Sequence, residues 1–305
     1  MKRALLIWNP VATTTSPGVR DVIARALASE LHIEVAETVQ RGHATELAAD
    51  SAAGESFDLV CVLGGDGTIN EAVNGLAGTG VPLAAIPGGG TNVLARTLGY
   101  PKDPVEATAT LLARIRDGLE PRSVNLGRVN GRAFAFCAGM GFDAEVVRRV
   151  ESNPRAKRRF GEAFFVASGL REYFLPRERP RPAMTLTLPG GARVEGVRVA
   201  VVGNSDPFTF LGARPFRIVP DARLEDGLDV TAIRTMRITT ILRVLFTAFG
   251  SARHTGFKRV TALHDLDGFT VEADAPVLFQ VDGDLAGRET QFHFTVERDA
   301  LRLIG

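Results

Sequence analysis

The run Gly64-Gly65-Asp66-Gly67-Thr68, continuing into Ile69-Asn70-Glu71, has residue types suited to handling a phosphate. It lies between FDLVCVL, which reads as a buried strand, and a helical stretch expected to start near Thr68. In open α/β sheets ligands bind there, beyond the carboxyl end of a strand. Glycines let the backbone approach an anion, and a helix N-terminus offers N–H groups and partial positive charge. Thr68 is expected to cap the helix, to donate to a phosphate, or both. Asp66 cannot contact phosphate directly, since both are anions; its place is beside a magnesium ion or a magnesium-bound water. A second run, Pro87-Gly88-Gly89-Gly90-Thr91-Asn92, also joins a strand to a helix. Two such turns in neighbouring βα units point to a nucleotide lying across the strand ends. No GxxxxGK[ST] occurs, and GxGxxG is absent at the first turn, so neither a Walker loop nor a dinucleotide fingerprint explains the pattern.

Two acidic turns follow in the second half. Leu224-Glu225-Asp226-Gly227-Leu228-Asp229 reads, on its own, as an acidic turn between strands. Val281-Asp282-Gly283-Asp284 follows the apolar run VLFQ and reads as a tight hairpin with Asp-Gly at its tip. None of the five histidines has metal-site spacing; His254 and His264 are expected to be structural or on the surface. Cys61 and Cys137 sit in apolar runs and are expected to be buried free thiols, in keeping with a reducing compartment.

The elements that must position these residues fall into two regimes. Over roughly the first 124 residues, strand-like and helical runs alternate, which implies a parallel sheet covered on both faces. The helix over 18–30 is expected to bury Val19, Val22, Ile23, Ala26 and Leu27. From about residue 125 to 297 the text is mainly short strands with Gly-rich turns, including an Asn130-Gly131 hairpin and a strand at FRIVP, which suggests a β-sandwich. Residues 298–305 are a candidate to return to the first domain. The helix ITTILRVLFTAFG carries a stripe of Ile238, Ile241, Leu242, Leu245, Phe246 and Phe249, expected to form core or to wall a lipid cleft.

The net charge is +1, which argues against a nucleic-acid-binding polycation. Charge is concentrated locally: residues 148–181 hold ten Lys/Arg against four Glu, interleaved with Phe160, Phe164, Phe165, Tyr173 and Phe174. That pattern suits a peripheral anionic membrane surface, or else a solvated basic face over a packed helix. No run reaches the ~20 apolar residues of a membrane span. The expected location is the cytoplasm, peripheral at the inner membrane face. A homodimer is left open as the assembly.

GGDGTINEAVNGL followed by PGGGTNVLARTLG resembles the catalytic domain of the diacylglycerol kinase family, which includes bacterial soluble lipid kinases and the sphingosine and ceramide kinases. Asn9-Pro10 after the first strand, LEDGLDV and VDGD fit the same family in its order. The resemblance implies a phosphofructokinase-like three-layer α/β nucleotide domain followed by a β-sandwich domain, with catalysis in the cleft between them. It implies ATP contacts at Asn9, Thr38, Gly64, Gly65, Asp66, Gly67, Thr68, Ile69, Asn70 and Thr91, Thr38 resting on the looser match of TVQRGHA. It implies a magnesium segment using main-chain oxygens of Leu224, Gly227 and Asp229, with the Asp226 side chain orienting the network. It places a catalytic base at Asp284, where relatives often carry Glu. Many relatives also have Asn-Asp where this chain has Asn92-Val93, which leaves the role of the second loop open. The activity implied is ATP- and Mg2+-dependent phosphorylation of a membrane lipid hydroxyl, foremost diacylglycerol to phosphatidic acid. The alternatives are a GGDGT-type kinase of a soluble acceptor, NAD or a sugar, and a non-catalytic nucleotide- or lipid-binding protein.

Overall fold

The computed structural model describes residues 2–54, 57–153, 164, 167–169, 171–173 and 182–305. The chain divides into two compact units, one of residues 1–126 with 297–305 and one of residues 127–296.

The first unit alternates β1 (Arg3–Trp8), α1 (Pro17–Leu27), β2 (His32–Glu37), α2 (His43–Ala53), β3 (Leu59–Gly64), α3 (Asp66–Leu76) and β4 (Pro82–Pro87), then α4 (Val93–Thr97) and α5 (Pro104–Arg116). The strands are parallel in the order β2-β1-β3-β4, and the chain's closing residues add a further parallel strand, with Arg302 opposite Pro82 and Leu303 opposite Leu83. Every residue of β3 is buried, as its unbroken apolar run requires of a central strand. β2 is the edge, and its residues are mostly exposed or half-buried. The helices pack in pairs, α1 with α5 and α2 with α3, the pairing expected when right-handed crossovers place helices on both faces of a parallel sheet. Their starts are fixed locally: Ser16 accepts the Val19 N–H, Asp103 accepts those of Val105 and Glu106, and a proline opens each of these two helices. The buried stripe of α1 is narrower than its sequence predicts. Only Ile23 and Leu27 are buried, and Val22 faces solvent.

The second unit contains β5 (Arg122–Val129, whose first residues belong to the first unit), β6 (Arg132–Phe134), β7 (Cys137–Gly141), α6 (Phe142–Glu151), β8 (Met184–Thr187), β9 (Arg193–Val197) and β10 (Val199–Gly203). Then come β11 (Thr209–Leu211), β12 (Arg214–Phe216), β13 (Leu228–Ile233), α7 (Ile238–Ala248), β14 (Val260–Leu266), β15 (Gly268–Val281) and β16 (Asp284–Leu303), which ends in the first unit. The Asn130-Gly131 turn has positive φ at both residues, the type I′ geometry its sequence calls for. The sandwich is closed by two long strands. The first half of β15 pairs with β8 and the second half with β7, and its ladder with β16 is interrupted between Glu272 and Val277. Strands that switch layers at such irregularities make the corners of a sandwich. The core between the layers includes Phe134, Met140, Leu186, Val202, Val230, Phe292 and Phe294. A second core, with Val199, Val201 and Ile233, packs beneath Ile241, Val244 and Ala248 of α7.

Two expectations are corrected. FRIVP is not a strand; only Phe216 of it lies in β12, which forms a short hairpin with β11. Of the predicted α7 stripe, only Ile241 is buried, while Ile238, Leu242, Leu245, Phe246 and Phe249 are exposed. The buried face is set instead by Ile241, Val244 and Ala248. Two apolar stripes share this helix, and a periodicity argument cannot tell which one meets the sheet.

Candidate active site

The two glycine-rich turns of the first unit lie against each other through their backbones. Gly88 N–H donates to Gly64 C=O at 2.7 Å. A Cβ at Gly89 would stand 2.7 Å from Gly65 Cα, and one at Gly88 would stand 2.9 Å from Gly64 Cα. Glycine at 88 and 89 is thus demanded by close approach of two main chains. Gly90 differs: its added Cβ would meet nothing within 4 Å. The second turn is held by Asn92, fully buried and at φ 54°, whose side chain accepts Gly89 N–H at 2.8 Å and donates to Gly89 C=O at 2.9 Å.

Helix α3 begins at Asp66, with Gly65 as an N-cap that has no side chain to cap it. This corrects the expected start near Thr68 and the expected capping role: Thr68 lies inside the helix, and its hydroxyl accepts the Asn9 side-chain N–H at 2.8 Å. Asn9 is itself fixed, its N–H on Leu63 C=O and its Oδ1 receiving Val11 N–H. Asp66 carries its carboxylate to the second turn, where Oδ1 accepts Val93 N–H at 2.6 Å. Only the main chain of residue 93 is used there, so Val meets that requirement as well as any residue. Ile69 is buried in the core and Asn70 is buried, accepting from the Asn74 side chain. Thr38 is buried and hydrogen-bonds Trp8 C=O through its N–H; Thr91 is half-exposed, and its C=O receives Arg96. Asn9, Gly64, Gly65, Asp66 and Thr68 are thereby brought together with the 88–93 turn. Glu71, to which sequence reasoning assigned no role, accepts the N–H groups of Gly42 and Ala44 and so caps α2.

In the second unit, Asp282 and Gly283 both have positive φ, giving the type I′ turn with Val281 opposite Asp284. The two acids of VDGD differ. Asp282 is buried and accepts three amides, those of Ala135, Phe136 and Cys137, at 2.7, 3.0 and 2.9 Å. Asp284 is half-buried at the start of β16. Behind the turn, Gln280 accepts Gly283 N–H at 2.8 Å and donates to Asp143 at 3.0 Å. Burial pushes the Asp143 carboxyl up to about 6, against the lowering effect of that Gln280 hydrogen bond. The Asp143–Gln280 support was missed in the sequence because its members are 137 residues apart.

The LEDGLD turn is anchored by the buried Leu224 side chain, and Gly227 N–H donates to Asp265 at 2.7 Å. A Cβ at Gly227 would come within 2.8 Å of Asp265 Oδ1 and Leu266 C=O. The ladder of β13 with β14 is irregular at Asp229, whose carboxylate takes Asp265 N–H at 2.8 Å and lies 2.7 Å from His264 Nδ1. Burial raises the Asp229 pKa, and the hydrogen bond to Asp229 raises that of His264. The donors at this turn are oxygens, the set a hard cation such as magnesium prefers. The Asp229 carboxylate is already engaged by Asp265 N–H and His264. No cluster of three His, Cys, Asp or Glu side chains able to hold a metal occurs among the described residues.

Cys61 and Cys137 are buried free thiols, and burial pushes Cys61 up to about 12. Among the described residues no helix is long and apolar enough to cross a membrane. Most of the basic stretch, including Arg155, Lys157, Arg158, Arg159, Phe160, Phe165, Phe174, Arg177, Arg179 and Arg181, lies outside the described residues. Within it, Arg149 is buried in an ion pair with Glu172 at 2.6 Å, and Tyr173 donates to Met236 C=O.

Residues 3–122 match the Diacylglycerol kinase catalytic domain family, and residues 137–305 match the YegS C-terminal NAD kinase beta sandwich-like domain. The chain is 36% identical over 255 residues to a diacylglycerol kinase of Bacillus subtilis, covering 80% of this chain and 78% of that one. It is 32% identical over 247 residues to a diacylglycerol kinase of Mycobacterium tuberculosis, covering 77% and 73%. Its fold is that of a crystal structure of a diacylglycerol kinase from Bacillus anthracis, with a TM-score of 0.78 at 23% identity over 99% of this chain and 96% of that one. With its paired glycine-rich turns and its β-sandwich unit, the chain belongs to the diacylglycerol kinase family and is a lipid kinase.

Proposed function

We propose that this kinase uses ATP with Mg2+ to phosphorylate the free hydroxyl of diacylglycerol, giving phosphatidic acid. One observation carries the nucleotide half of this reading: two glycine-rich turns in backbone contact at the carboxyl end of the parallel strands, one opening α3 with a glycine as its N-cap. Such an end of a helix receives phosphate. Asn9 and Asp66 keep the two turns and Thr68 in register. Mg2+, when bound at the LEDGLD turn, would neutralise charge on the phosphates.

In the transfer, the lipid hydroxyl oxygen bonds to the γ-phosphorus and the β,γ-bridging P–O bond breaks, with ADP leaving. Asp284 accepts the hydroxyl proton and passes it to solvent. The neighbouring Asp282, tied to three amides, fixes the turn on which Asp284 sits. Diacylglycerol is favoured as acceptor by the names of the relatives in Bacillus subtilis and Mycobacterium tuberculosis. The basic stretch over 148–181 is proposed to meet an anionic membrane at the inner, cytoplasmic face. The test is a γ-labelled ATP assay over diacylglycerol, sphingoid bases, ceramide, NAD and sugars. Label in phosphatidic acid supports the reading; label in NAD or a sugar alone rejects it.

A further inference from the structure

We propose that the outer face of α7 is a docking surface that seats in the headgroup region of an anionic lipid bilayer. The helix carries two apolar stripes. One, Ile241, Val244 and Ala248, packs on the sheet. The other, Ile238, Leu242, Leu245, Phe246 and Phe249, spans an arc of roughly 100° at 3.6 residues per turn. Phe246 is 83% exposed and Leu242 52%. Eleven large hydrophobic side chains are exposed among the described residues, and five of them fall between 238 and 249. A cluster of this kind marks an interaction surface, whereas isolated exposed residues do not.

Charge decides the partner. From Val230 to His264 the chain has no Asp or Glu and six Lys/Arg: 234, 237, 243, 253, 258 and 259. The whole protein holds 36 basic and 35 acidic residues, so an acid-free stretch of this length is a strong local bias. All six are exposed. They are also held near the helix. Arg237 is its N-cap, Arg243 lies over the Phe257 ring at 4.7 Å, and Arg234 donates to Lys258 C=O. His254 binds Ile218 C=O and the Thr247 hydroxyl, fixing the turn that bears Arg253 against the helix end. An apolar arc on a segment that carries six exposed cations and no acid of its own suits an interfacial helix on anionic lipid. A second copy fits less well, because a two-fold contact would oppose this cationic segment to itself. Tyr173, a described residue of the 148–181 stretch, donates to Met236 C=O just before the helix.

The surface stands on its own geometry; that it serves a lipid acceptor rests on the reading above. The test uses the full chain and the double variant Leu242→Ser/Phe246→Ser, both at exposed positions, so the fold should survive; melting temperature checks this. Co-sedimentation is measured with phosphatidylcholine vesicles, with and without phosphatidylglycerol. Wild type should bind the anionic vesicles, and the variant at least about tenfold more weakly. Turnover of a dispersed short-chain diacylglycerol should be unchanged. A second variant, Arg237→Gln/Arg253→Gln/Lys258→Gln, should lose anionic binding and much of its salt dependence. Undiminished vesicle binding by the serine variant would overturn the proposal. So would a wild-type dimer that the serine changes split while vesicle binding persists, since the face would then join copies of the chain. Helix-dependent vesicle binding without phosphorylation of any lipid would uphold the surface and reject the acceptor assignment.

Discussion

Gly89→Ala tests whether the two glycine-rich turns act as one device. The added Cβ would stand 2.7 Å from Gly65 Cα and 3.0 Å from Asn92 Oδ1. Carbon atoms pack at about 3.5–4.0 Å, so the overlap is near 1 Å. The obstacle is backbone, which no rotamer change relieves, so the cost belongs at the upper end of overpacking, about 3 kcal/mol. Part of it should open the turn away from Gly65 and strain the Asn92 ring of hydrogen bonds. If all of it fell on the nucleotide-competent form, ATP affinity would drop about 100-fold. Gly90→Ala is the control: nothing lies within 4 Å, and its φ is not in the left-handed region. That change should leave stability equal or improve it by up to about 1 kcal/mol through the unfolded chain. The assays are thermal unfolding and calorimetric titration with ATP. Gly89→Ala with wild-type stability and affinity would show that the two turns do not depend on their close backbone contact.

Asp282→Ala should destabilise the second unit by about 3 kcal/mol or more, because it leaves three buried amides without their carboxylate; a denaturant titration measures it. The His264 pKa is raised in the folded protein, so the contribution of its contact with Asp229 is full below the ordinary 6.5 and fades as pH rises through the higher folded value. His264→Gln should flatten that fall in melting temperature above pH 6.5. Asp143 has the opposite acid–base type and the same sign: with its pKa raised from 3.8 to about 6, it favours folding when protonated, and stability falls as pH climbs through that window. Asp143→Asn, which keeps an acceptor for Gln280, should remove this slope in melting temperature between pH 4 and 6. Chelation with EDTA should stop phosphoryl transfer, with activity restored by added Mg2+ but not by Ca2+, whose looser geometry positions phosphates poorly.

Much of the fold is legible because its signals are local. β3 is five apolar residues and a glycine in a row and is buried throughout, and the Asn130-Gly131 and Asp282-Gly283 tips have the positive φ that their residue types accept. The glycine-rich turns also stand out in the text, but the reason for each glycine does not. Gly88 and Gly89 are required by contact with Gly64 and Gly65, a pairing about 24 residues apart that no window reveals. The misplaced start of α3 has a related cause: Thr68 resembles a cap, yet its hydroxyl is taken by Asn9 from β1's exit, and glycine serves as N-cap. α7 shows the limit of periodicity, since both of its stripes are apolar and only the packed structure tells the core face from the outer one. In VDGD the Asp-Gly tip is legible from turn chemistry, but the three amides on Asp282 come from residues some 145 positions away.

The proposed phosphoryl transfer is put to the test by giving γ-labelled ATP and vesicle-borne diacylglycerol to the wild-type protein and to Asp284→Asn side by side, with ATP binding and melting temperature checked for both. Labelled phosphatidic acid from the wild type, and a loss of at least about a thousandfold in the variant with binding and fold intact, is the predicted result. Equal turnover by Asp284→Asn would remove that carboxylate from the reaction. A wild-type enzyme that labels only a water-soluble acceptor would contradict the proposed reaction itself.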